Sequence, residues 1–300
     1  MNQVSGEILV QSIEQAGLML LAPAKLNLTL EVLGKRNDGF HEIRSVLQTI
    51  DLWDSIYLEL RPSGIHFQCS PPNLENPRNL AWQAAESLKT GRVDKGASIR
   101  LQKTIPEAAG LGGGSSDAAI TLIGLDLLWG TDLGQEELSY MASQLSSDAP
   151  FFMVGGTALA RGRGESITPL SPLPLHWVVI LKPDIPVPGP KTARLYSNLT
   201  WEHYTKGEYT ARLQDILSTG MPAGNINGLL FNVFEMLAFR VYPGLSKYKD
   251  RFEGAGAPSI HLAGSGPALF TMIPDKEKAL TVYTNLKKEN LEVYLARTRN

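Results

Sequence analysis

The feature that most constrains this chain is a run of glycines that leads into an apolar segment, "PEAAGLGGGSSDAA" at residues 106–119. Glycine allows positive φ and close approach of the backbone to a ligand. The residues that follow, "SSDAAITLIGLDLLWG", are apolar on nearly every side and predict a buried helix. N–H groups at a helix start, together with the helix dipole, favour a phosphate. The alternative is a tight turn capped by Asp117, but the glycines exceed what a cap needs, and we predict a phosphate-binding loop.

Two common phosphate-binding motifs do not fit this loop. A P-loop requires Gly-Lys followed by Ser or Thr, and the segment contains no lysine. A dinucleotide-binding fingerprint requires glycine at its first, third and sixth positions, and the sixth position counted from Gly110 is Ser115. The loop therefore matches neither of these two motifs.

The bulk composition is that of a globular protein with room for two domains. The chain has 300 residues, of which 43% are hydrophobic and 19% charged. A net charge of −2 without a long basic block disfavours a nucleic-acid partner. Cys69 is the single cysteine, which excludes an intrachain disulfide and a cysteine-based zinc site and fits a reducing compartment.

The N-terminal segment is a poor targeting signal. It has no basic region at its start and carries Glu7 and Glu14. The apolar run at 17–24 is too short to span a bilayer. We therefore expect a cytoplasmic protein without a membrane partner. Residues 6–13, "GEILVQSI", either add an edge strand or cover one, and the sequence leaves both open.

Hydrophobic periodicity predicts mixed strands and helices along the whole chain. The predicted strands are 26–34, 54–62, 97–105, 156–165, 177–183, 259–263, 268–273 and 292–298. The predicted helices are 76–91, 115–130, 134–145, 191–199, 225–239, 244–253 and 276–289. A proline-rich connector at 168–177 suggests a boundary near residue 170. The fold class is therefore α+β, with predicted domains at 1–170 and 171–300.

Four motifs in this order resemble those of the GHMP kinases, a family of small-molecule kinases. They are "APAKLNLTLEVLGKRNDGFHEI" at 22–43, the glycine loop at 106–119, "SSDAPFF" at 146–152 and "AGSGPALF" at 263–270. The resemblance extends from residue 22 to about residue 298. It implies an ATP-binding N-terminal domain like domain 2 of ribosomal protein S5, a ferredoxin-like C-terminal domain that binds substrate, and a cleft between them.

The resemblance also implies an ATP site. Its residues are Pro106, Glu107, Ala108, Ala109, Gly110, Leu111, Gly112, Gly113, Gly114, Ser115 and Ser116, with Asn79 and Lys103. For the last two, a helix-start asparagine and a surface lysine are the alternatives. The histidines show no ligand spacing, so no protein-bound metal is predicted. Mg²⁺ is expected to arrive with ATP and to be held mainly by phosphates, a carboxylate and a hydroxyl.

Asp148 and Lys25 are the catalytic residues that the resemblance implies. Taken alone, Asp148 before Ala-Pro is equally a helix N-cap, and Lys25 at a strand start is a surface charge. In the family the aspartate removes the proton of the accepting hydroxyl. The lysine lies beside it, and its charge would keep the aspartate ionised and stabilise the forming alkoxide.

The same comparison implies an acceptor that carries cytidine diphosphate linked to methylerythritol and is phosphorylated on its tertiary 2-hydroxyl. The substrate-binding residues so implied are Asn27, Phe40, His41, Tyr196, Gly264, Ser265 and Gly266. The resemblance implies that Phe40 stacks on the base, where many members have Tyr, that His41 reads the edge of the base and that Tyr196 stacks on it from the other side. Taken alone, "DGFH" is a hairpin turn with a half-buried aromatic residue. The segment "VPGPKT" departs from the Ser-Thr pattern of the family, and no catalytic role is expected for Asn232.

Three other interpretations remain at the sequence level. The first is another kinase of this family, of the mevalonate or homoserine type, although such substrates offer no base for "DGFH" to read. The second is a ligand sensor that lost catalysis, against which the presence of both Lys25 and Asp148 argues. The third is a purely structural glycine turn. The expected assembly is a monomer or weak homodimer.

Overall fold

The computed structural model describes residues 10–13, 17–89, 93–187, 189–220 and 226–300. The strands are β1 (Val10–Ile13), β2 (Gly17–Asn27), β3 (Thr29–Lys35), β4 (His41–Arg61), β5 (Ile65–Ser70), β6 (Gly96–Gln102), β7 (Thr157–Gly162), β8 (Ser166–Pro169), β9 (Trp177–Lys182), β10 (Phe231–Asn232), β11 (His261–Leu262), β12 (Leu269–Ile273) and β13 (Glu292–Arg299). The α-helices are α1 (Leu80–Lys89), α2 (Gly113–Trp129), α3 (Gln135–Leu145), α4 (Lys191–Ser197), α5 (Glu208–Thr219), α6 (Glu235–Val241), α7 (Leu245–Gly254) and α8 (Lys276–Lys288).

The chain divides into two compact units, and the first comprises Met1–Ala24, Leu52–Glu107 and Gly112–Gly155. In this unit β1 pairs antiparallel with the start of β2, the second half of β4 pairs antiparallel with β6, and β5 pairs parallel with β6. Helices α1, α2 and α3 pack on one another. The two open possibilities for residues 6–13 are thereby decided for Val10–Ile13, which form a strand paired with β2.

Helix α2 is the buried centre of the first unit. Every residue from Ser115 to Leu125 is buried, as the unbroken apolar character of the segment predicts. A methyl group at Gly124 would lie 2.5 Å from Leu58 Cδ1 and 2.8 Å from Leu20 Cδ1. Glycine at this position therefore lets the helix lie directly against the side chains of β2 and β4. The helix begins at Gly113 rather than at Ser115.

The second unit comprises Lys25–Asp51, Ala108–Leu111 and Gly156–Asn300. Strands β3, β7 and β13 each pair antiparallel with the first half of β4, and β8 pairs antiparallel with β7. Strand β9 pairs antiparallel with both β13 and β12, and β12 pairs with β11. Helix α8 lies against β9 and β13. Apolar side chains from β3, β4, β9, β11, β12 and β13 and from α4, α6, α7 and α8 form one core.

The predicted helix at 225–239 is wrong in its first part. Within the described part of this segment, Ile226–Leu229 forms a 3-10 helix, β10 follows, and α6 begins at Glu235. Strand β10 pairs parallel with β3, and the Asn232 side chain accepts a hydrogen bond from Phe234 N at 2.9 Å. These bonds favour an extended chain before α6, because a local Asn side chain competes with helical backbone bonding.

Other boundaries also differ from the sequence prediction. The predicted strand 26–34 is two strands, β2 and β3, separated by a bend at Leu28. Strand β5, helix α5 and the first half of β4 were not predicted. The sequence predicted two domains, each formed by one continuous segment, with a boundary near residue 170. The two compact units are each formed by several separate segments, so the boundary stays a prediction. No helix in the described ranges combines the length and apolar character needed to cross a bilayer.

Candidate functional site

The glycine loop enters α2 through residues with left-handed backbone. Gly110 has φ +91° and Gly112 has φ +74°, which side chains with a Cβ atom rarely adopt. Gly112 is the N-cap residue of α2 and has no side chain with which to cap the N–H groups of the first helical turn. The N–H groups of the first turn of α2 therefore receive no hydrogen bond from a side chain of the N-cap residue.

Asp148 lies at the start of a 3-10 helix, Ala149–Met153, but its side chain makes no capping hydrogen bond. The capping alternative is therefore not what holds this half-buried carboxylate in place. Its backbone N–H donates to Ser146 Oγ at 3.3 Å, and Ser146 Oγ lies 2.7 Å from Ser115 Oγ in the first turn of α2. Within the first unit, one hydroxyl pair thus ties the Asp148 backbone to the helix that follows the glycine loop.

Lys103 occupies a buried charge cluster beneath the start of α2. Its ammonium group lies 2.5 Å from both Asp54 Oδ2 and Asp117 Oδ2, and the Lys103 side chain is 7% exposed. Asp54 Oδ1 also accepts hydrogen bonds from Thr104 N at 2.5 Å and Ile105 N at 2.8 Å. The cluster therefore joins the end of β6, where the glycine loop departs, to α2.

The cluster holds two carboxylates and one ammonium group away from water. Burial raises the pKa of Asp117 to about 8, although Lys103 opposes the change. Burial works against the charge of Lys103, but Asp117 and Asp54 together raise the pKa of its ammonium group above the ordinary value. The lysine therefore stays charged, and Asp117 is the carboxyl that takes up a proton near neutral pH. The surface-lysine alternative is wrong for Lys103.

Asn79 acts locally at the start of α1. Its Oδ1 accepts from Ala81 N at 3.0 Å and its Nδ2 donates to Leu74 O at 3.1 Å. These contacts match the helix-start alternative for this residue. A contact of Asn79 or Lys103 with ATP stays a prediction.

In the second unit, residues Ala108–Leu111 pack against a second glycine loop, defined as Ala263–Pro267. A Cβ atom at Gly110 would stand 1.8 Å from Ala263 O, and one at Gly264 would stand 2.8 Å from Gly110 O. Ala268 N donates to Ala109 O at 3.2 Å. Glycine at both positions is therefore required for the two loops to touch.

Lys25 and Asn27 lie beside this contact. The position of a Cβ atom on Gly264 is 3.2 Å from Asn27 Oδ1 and 3.4 Å from Lys25 Nζ. Lys25 is 4% exposed, and its Nζ donates a hydrogen bond to Asn27 Oδ1 at 2.6 Å. The backbone N–H of Lys25 donates to Leu111 O at 2.9 Å. Asn27 Nδ2 donates to Ser45 Oγ at 2.8 Å. The surface-charge alternative for Lys25 is therefore wrong, since its ammonium group is buried next to both loops.

Three side chains that the sequence did not single out as site residues hold the second loop. Asn232 Nδ2 donates to Leu262 O at 2.9 Å and Gly264 O at 2.8 Å. Tyr242 donates through its hydroxyl to Ser265 O at 2.7 Å. Lys191 Nζ donates to Gly266 O and, at 2.5 Å, to Ala108 O. The sequence analysis expected no catalytic role for Asn232, and it noted "VPGPKT" only as a departure from the pattern of the related kinases.

His41 and Tyr196 form an aromatic stack in the second unit. Their ring centroids are 4.8 Å apart with 27° between the planes, and Tyr204 meets His41 edge-on at 6.2 Å. Burial and then Lys35 lower the pKa of His41, so the ring is neutral near pH 7. Phe40 is 52% exposed, with the Arg163 guanidinium 4.8 Å from its ring centroid. Two of the three predicted base-recognition residues are thus in direct contact.

The predicted site residues are distributed over both units. The second unit brings together Lys25, Asn27, Gly110 and Gly264, whereas Asp148 lies in the first unit. In the part of the chain that the structure describes, no three His, Cys, Asp or Glu side chains are grouped so that they could hold a metal ion.

Comparison with known proteins identifies two family domains. Residues 79–156 match the GHMP kinases N terminal domain and residues 213–292 match the GHMP kinases C terminal domain. A 4-diphosphocytidyl-2-C-methyl-D-erythritol kinase of Dehalococcoides mccartyi is 42% identical over 284 residues, which are 94% of this chain and 98% of the relative. The kinase of that name from Bacillus cereus is 40% identical over 286 residues, covering 93% and 96%.

Solved structures give the same result. A crystal structure of 4-(cytidine 5'-diphospho)-2C-methyl-D-erythritol kinase matches with a TM-score of 0.79 and 32% identity, covering 94% of this chain and 99% of the other. A homoserine kinase from Cytophaga hutchinsonii matches with a TM-score of 0.73 and 17% identity, covering 96% of each chain, which supports the fold alone. The predicted α+β fold class is confirmed.

Proposed function

Since the chain belongs to the 4-diphosphocytidyl-2-C-methyl-D-erythritol kinases of the GHMP kinase family, we propose that it transfers the γ-phosphoryl group of ATP to the 2-hydroxyl of that alcohol. The products are the 2-phosphate and ADP, and the reaction belongs to the non-mevalonate route to isoprenoid precursors. The observation that carries the proposal is the contact of Gly110 with the second glycine loop, beside Lys25 and Asn27.

The glycine loop fits the phosphates of ATP in two respects. Gly110 and Gly112 hold left-handed conformations that shape the turn, and the start of α2 presents N–H groups and the positive end of a helix dipole. The carbonyl oxygens of Ala108, Ala109 and Leu111 accept hydrogen bonds from the protein itself. Because protein donors already bind these carbonyl oxygens, the oxygens need not point at the phosphates of ATP.

Phosphoryl transfer requires little covalent work from the protein, so positioning and charge stabilisation carry the catalysis. ATP supplies the phosphoryl group, and the proposal assigns its phosphates to the loop from Pro106 to Ser116. Mg²⁺ would come with ATP and be held mainly by the phosphates. The Ser115 hydroxyl in the first turn of α2 is a protein oxygen that suits this ion.

Asp148 is the proposed base. Its side chain makes no capping bond and its backbone is tied to the start of α2 through Ser146. The carboxylate would accept the proton of the 2-hydroxyl as the new bond to phosphorus forms. Lys25, buried next to the glycine loops, would favour the ionised carboxylate and stabilise the developing alkoxide. No covalent enzyme intermediate is required.

The cytidine end is assigned to the aromatic stack. In this proposal the base lies against Phe40 and Tyr196, and a neutral His41 reads its edge through a ring nitrogen. The exposed face of Phe40 supports this assignment. Because Tyr196 contacts His41 directly, entry of a base between Phe40 and Tyr196 would require a movement of the Tyr196 ring. Asn27 and residues Gly264–Gly266 would contact the methylerythritol unit.

The deciding experiment measures ADP release with Mg-ATP and 4-diphosphocytidyl-2-C-methyl-D-erythritol, with mevalonate and homoserine as competing acceptors. The proposal expects turnover of the cytidine substrate alone and a loss of at least about 10²-fold in kcat for Asp148→Asn, in the range of a missing general base. Asp250→Asn, an exposed position on α7, is the control and should retain activity. Turnover of mevalonate or homoserine instead would refute the substrate assignment, and an active Asp148→Asn variant would refute the base.

A further inference from the structure

We propose that Lys191 is a positioning residue that clamps the ATP-binding glycine loop to the second glycine loop. The inference deepens the proposed function and rests on it, since it concerns how the same two loops are held for phosphoryl transfer. It is carried by one ammonium group that donates to carbonyl oxygens of both loops, Ala108 O at 2.5 Å and Gly266 O.

The two carbonyl groups need a cation between them. Carbonyl oxygens that converge on one point repel each other, and a single ammonium group with three donors satisfies both. Hydrogen bonds of this charge-assisted kind are about twice as strong as those between neutral groups. The two loops also meet where Gly110 approaches Ala263 and where Gly264 approaches Gly110 O, and Ala268 N, directly after the second loop, donates to Ala109 O. Lys191 is therefore a charged link added to otherwise neutral ones.

The backbone of Ala108 supplies a second reason. Ala108 has φ +51°, a left-handed conformation that is disfavoured for a residue with a Cβ atom. Such a conformation persists only where its surroundings hold it. The Lys191 ammonium group binds the carbonyl oxygen of this same residue and thus opposes its relaxation.

Lys191 is itself well placed to act as a fixed clamp. It is the first residue of α4, whose Leu195 is buried in the core of the second unit. The neighbouring Thr192 Oγ1 lies 3.0 Å from Ser265 Oγ in the second loop. The same helix carries Tyr196, which stacks on His41. Helix α4 therefore links the clamp to the ring proposed to hold the cytosine base.

Loss of the clamp should lower the fraction of molecules in which both loops are in their binding geometry. The apparent dissociation constant equals the intrinsic one divided by the fraction of molecules that can bind, so it rises as that fraction falls. Because one ammonium group serves both loops, the KM for ATP and the KM for the acceptor should rise together. A residue that only stabilised the fold would change the melting temperature and leave both KM values of the folded enzyme unchanged.

The test is steady-state kinetics of the full chain with Mg-ATP and the cytidine substrate, for Lys191→Met and Lys191→Arg. Lys191→Met keeps the aliphatic length without the charge, and we expect kcat/KM for each substrate to fall about 10- to 100-fold, mainly through KM. Lys191→Arg keeps a cation with several donors, and we expect it to recover at least half of that loss on a logarithmic scale. Lys288→Met, an exposed lysine at the end of α8, is the matched control and should behave as wild type.

Several outcomes would overturn the inference. Unchanged KM values in a folded Lys191→Met variant would show that the link is unimportant for the loops. A fall confined to kcat, without rescue by arginine, would make Lys191 a direct contact of the transferring phosphoryl group instead. If Lys191→Met does not fold, Lys191→Arg and Lys191→Gln decide by the same comparison of KM and kcat. Absence of activity in the wild-type protein would instead refute the proposed function. This outcome differs from failure of the clamp, because it does not depend on any substitution of Lys191.

Discussion

Replacement of Gly110 by alanine should force the two glycine loops apart. A Cβ atom at this position would lie 1.8 Å from Ala263 O, whereas a carbon and an oxygen in van der Waals contact are about 3.3 Å apart. The loops must therefore separate by about 1.5 Å. The neighbouring atoms are backbone, so a side-chain rotation cannot relieve the clash. Alanine is also disfavoured at φ +91°.

The size of the effect follows from these two costs. Overpacking of a close contact costs about 1–3 kcal/mol, and left-handed backbone for a residue with a Cβ atom costs about 1–2 kcal/mol. Gly110→Ala should therefore lower the free energy of unfolding by about 2–5 kcal/mol. At roughly 2–4 °C for each kcal/mol, the melting temperature should fall by about 4–20 °C. Because a misplacement of about 1 Å can cost about 10²-fold in rate, kcat/KM for ATP should fall by at least that factor.

The assay combines thermal unfolding with the kinase reaction at a temperature where the variant is folded. Gly254→Ala is the matched control, since a Cβ atom at this exposed end of α7 would meet no atom within 4 Å. It should leave both quantities near their wild-type values. A Gly110→Ala variant with wild-type melting temperature and wild-type kcat/KM would refute the claim that backbone contact between the two loops organises the site.

Two further predictions concern titrating groups. Burial raises the pKa of Asp117 to about 8 against the opposing effect of Lys103, so the folded protein holds a proton on this carboxyl that the unfolded chain releases near pH 4. The free energy of unfolding therefore falls as the pH rises from about 4 to 8. Asp117→Asn should become more stable relative to wild type over that interval. Denaturation curves at pH 5, 7 and 9 that give the same stability difference between variant and wild type would contradict this. Burial and then Lys35 lower the pKa of His41 below the ordinary value of a histidine, so the KM for the cytidine substrate should be constant at neutral and higher pH and rise only at acidic pH, as the ring becomes charged. His41→Gln should abolish that rise in KM, and its persistence in this variant would assign the titration to another group.

Local patterns in the sequence predicted part of the secondary structure around the site. The glycine run and the apolar segment after it predicted a turn into a buried helix, and α2 is that helix. The apolar runs at 259–263 and 268–273 predicted two strands, and β11 and β12, which pair antiparallel, lie within them. Such features depend on neighbours within a few residues, so the sequence carries them directly. The helix predicted over β10 failed because pairing with β3 overrode the local pattern.

The sequence also determined the class of chemistry. Glycines at 110, 112 and 264 are required by positive φ and by close backbone contacts, and these are properties of the residue type itself. The four motifs together indicate the family by themselves. The catalytic roles of Lys25 and Asp148 stay predictions, and the kinetics of Asp148→Asn would test the role of Asp148.

Only the tertiary structure decided which distant side chains hold these motifs in place. Lys191 reaches Ala108, 83 positions away, and Gly266, 75 positions away. Lys103 meets Asp54, 49 positions away, in a buried cluster. Each of these partners is one charged or polar residue among many in the sequence, and no local periodicity relates them. Their contacts arise because the paths of strands and helices bring them together, and hydrogen bonds act only over the few ångströms that the completed fold provides.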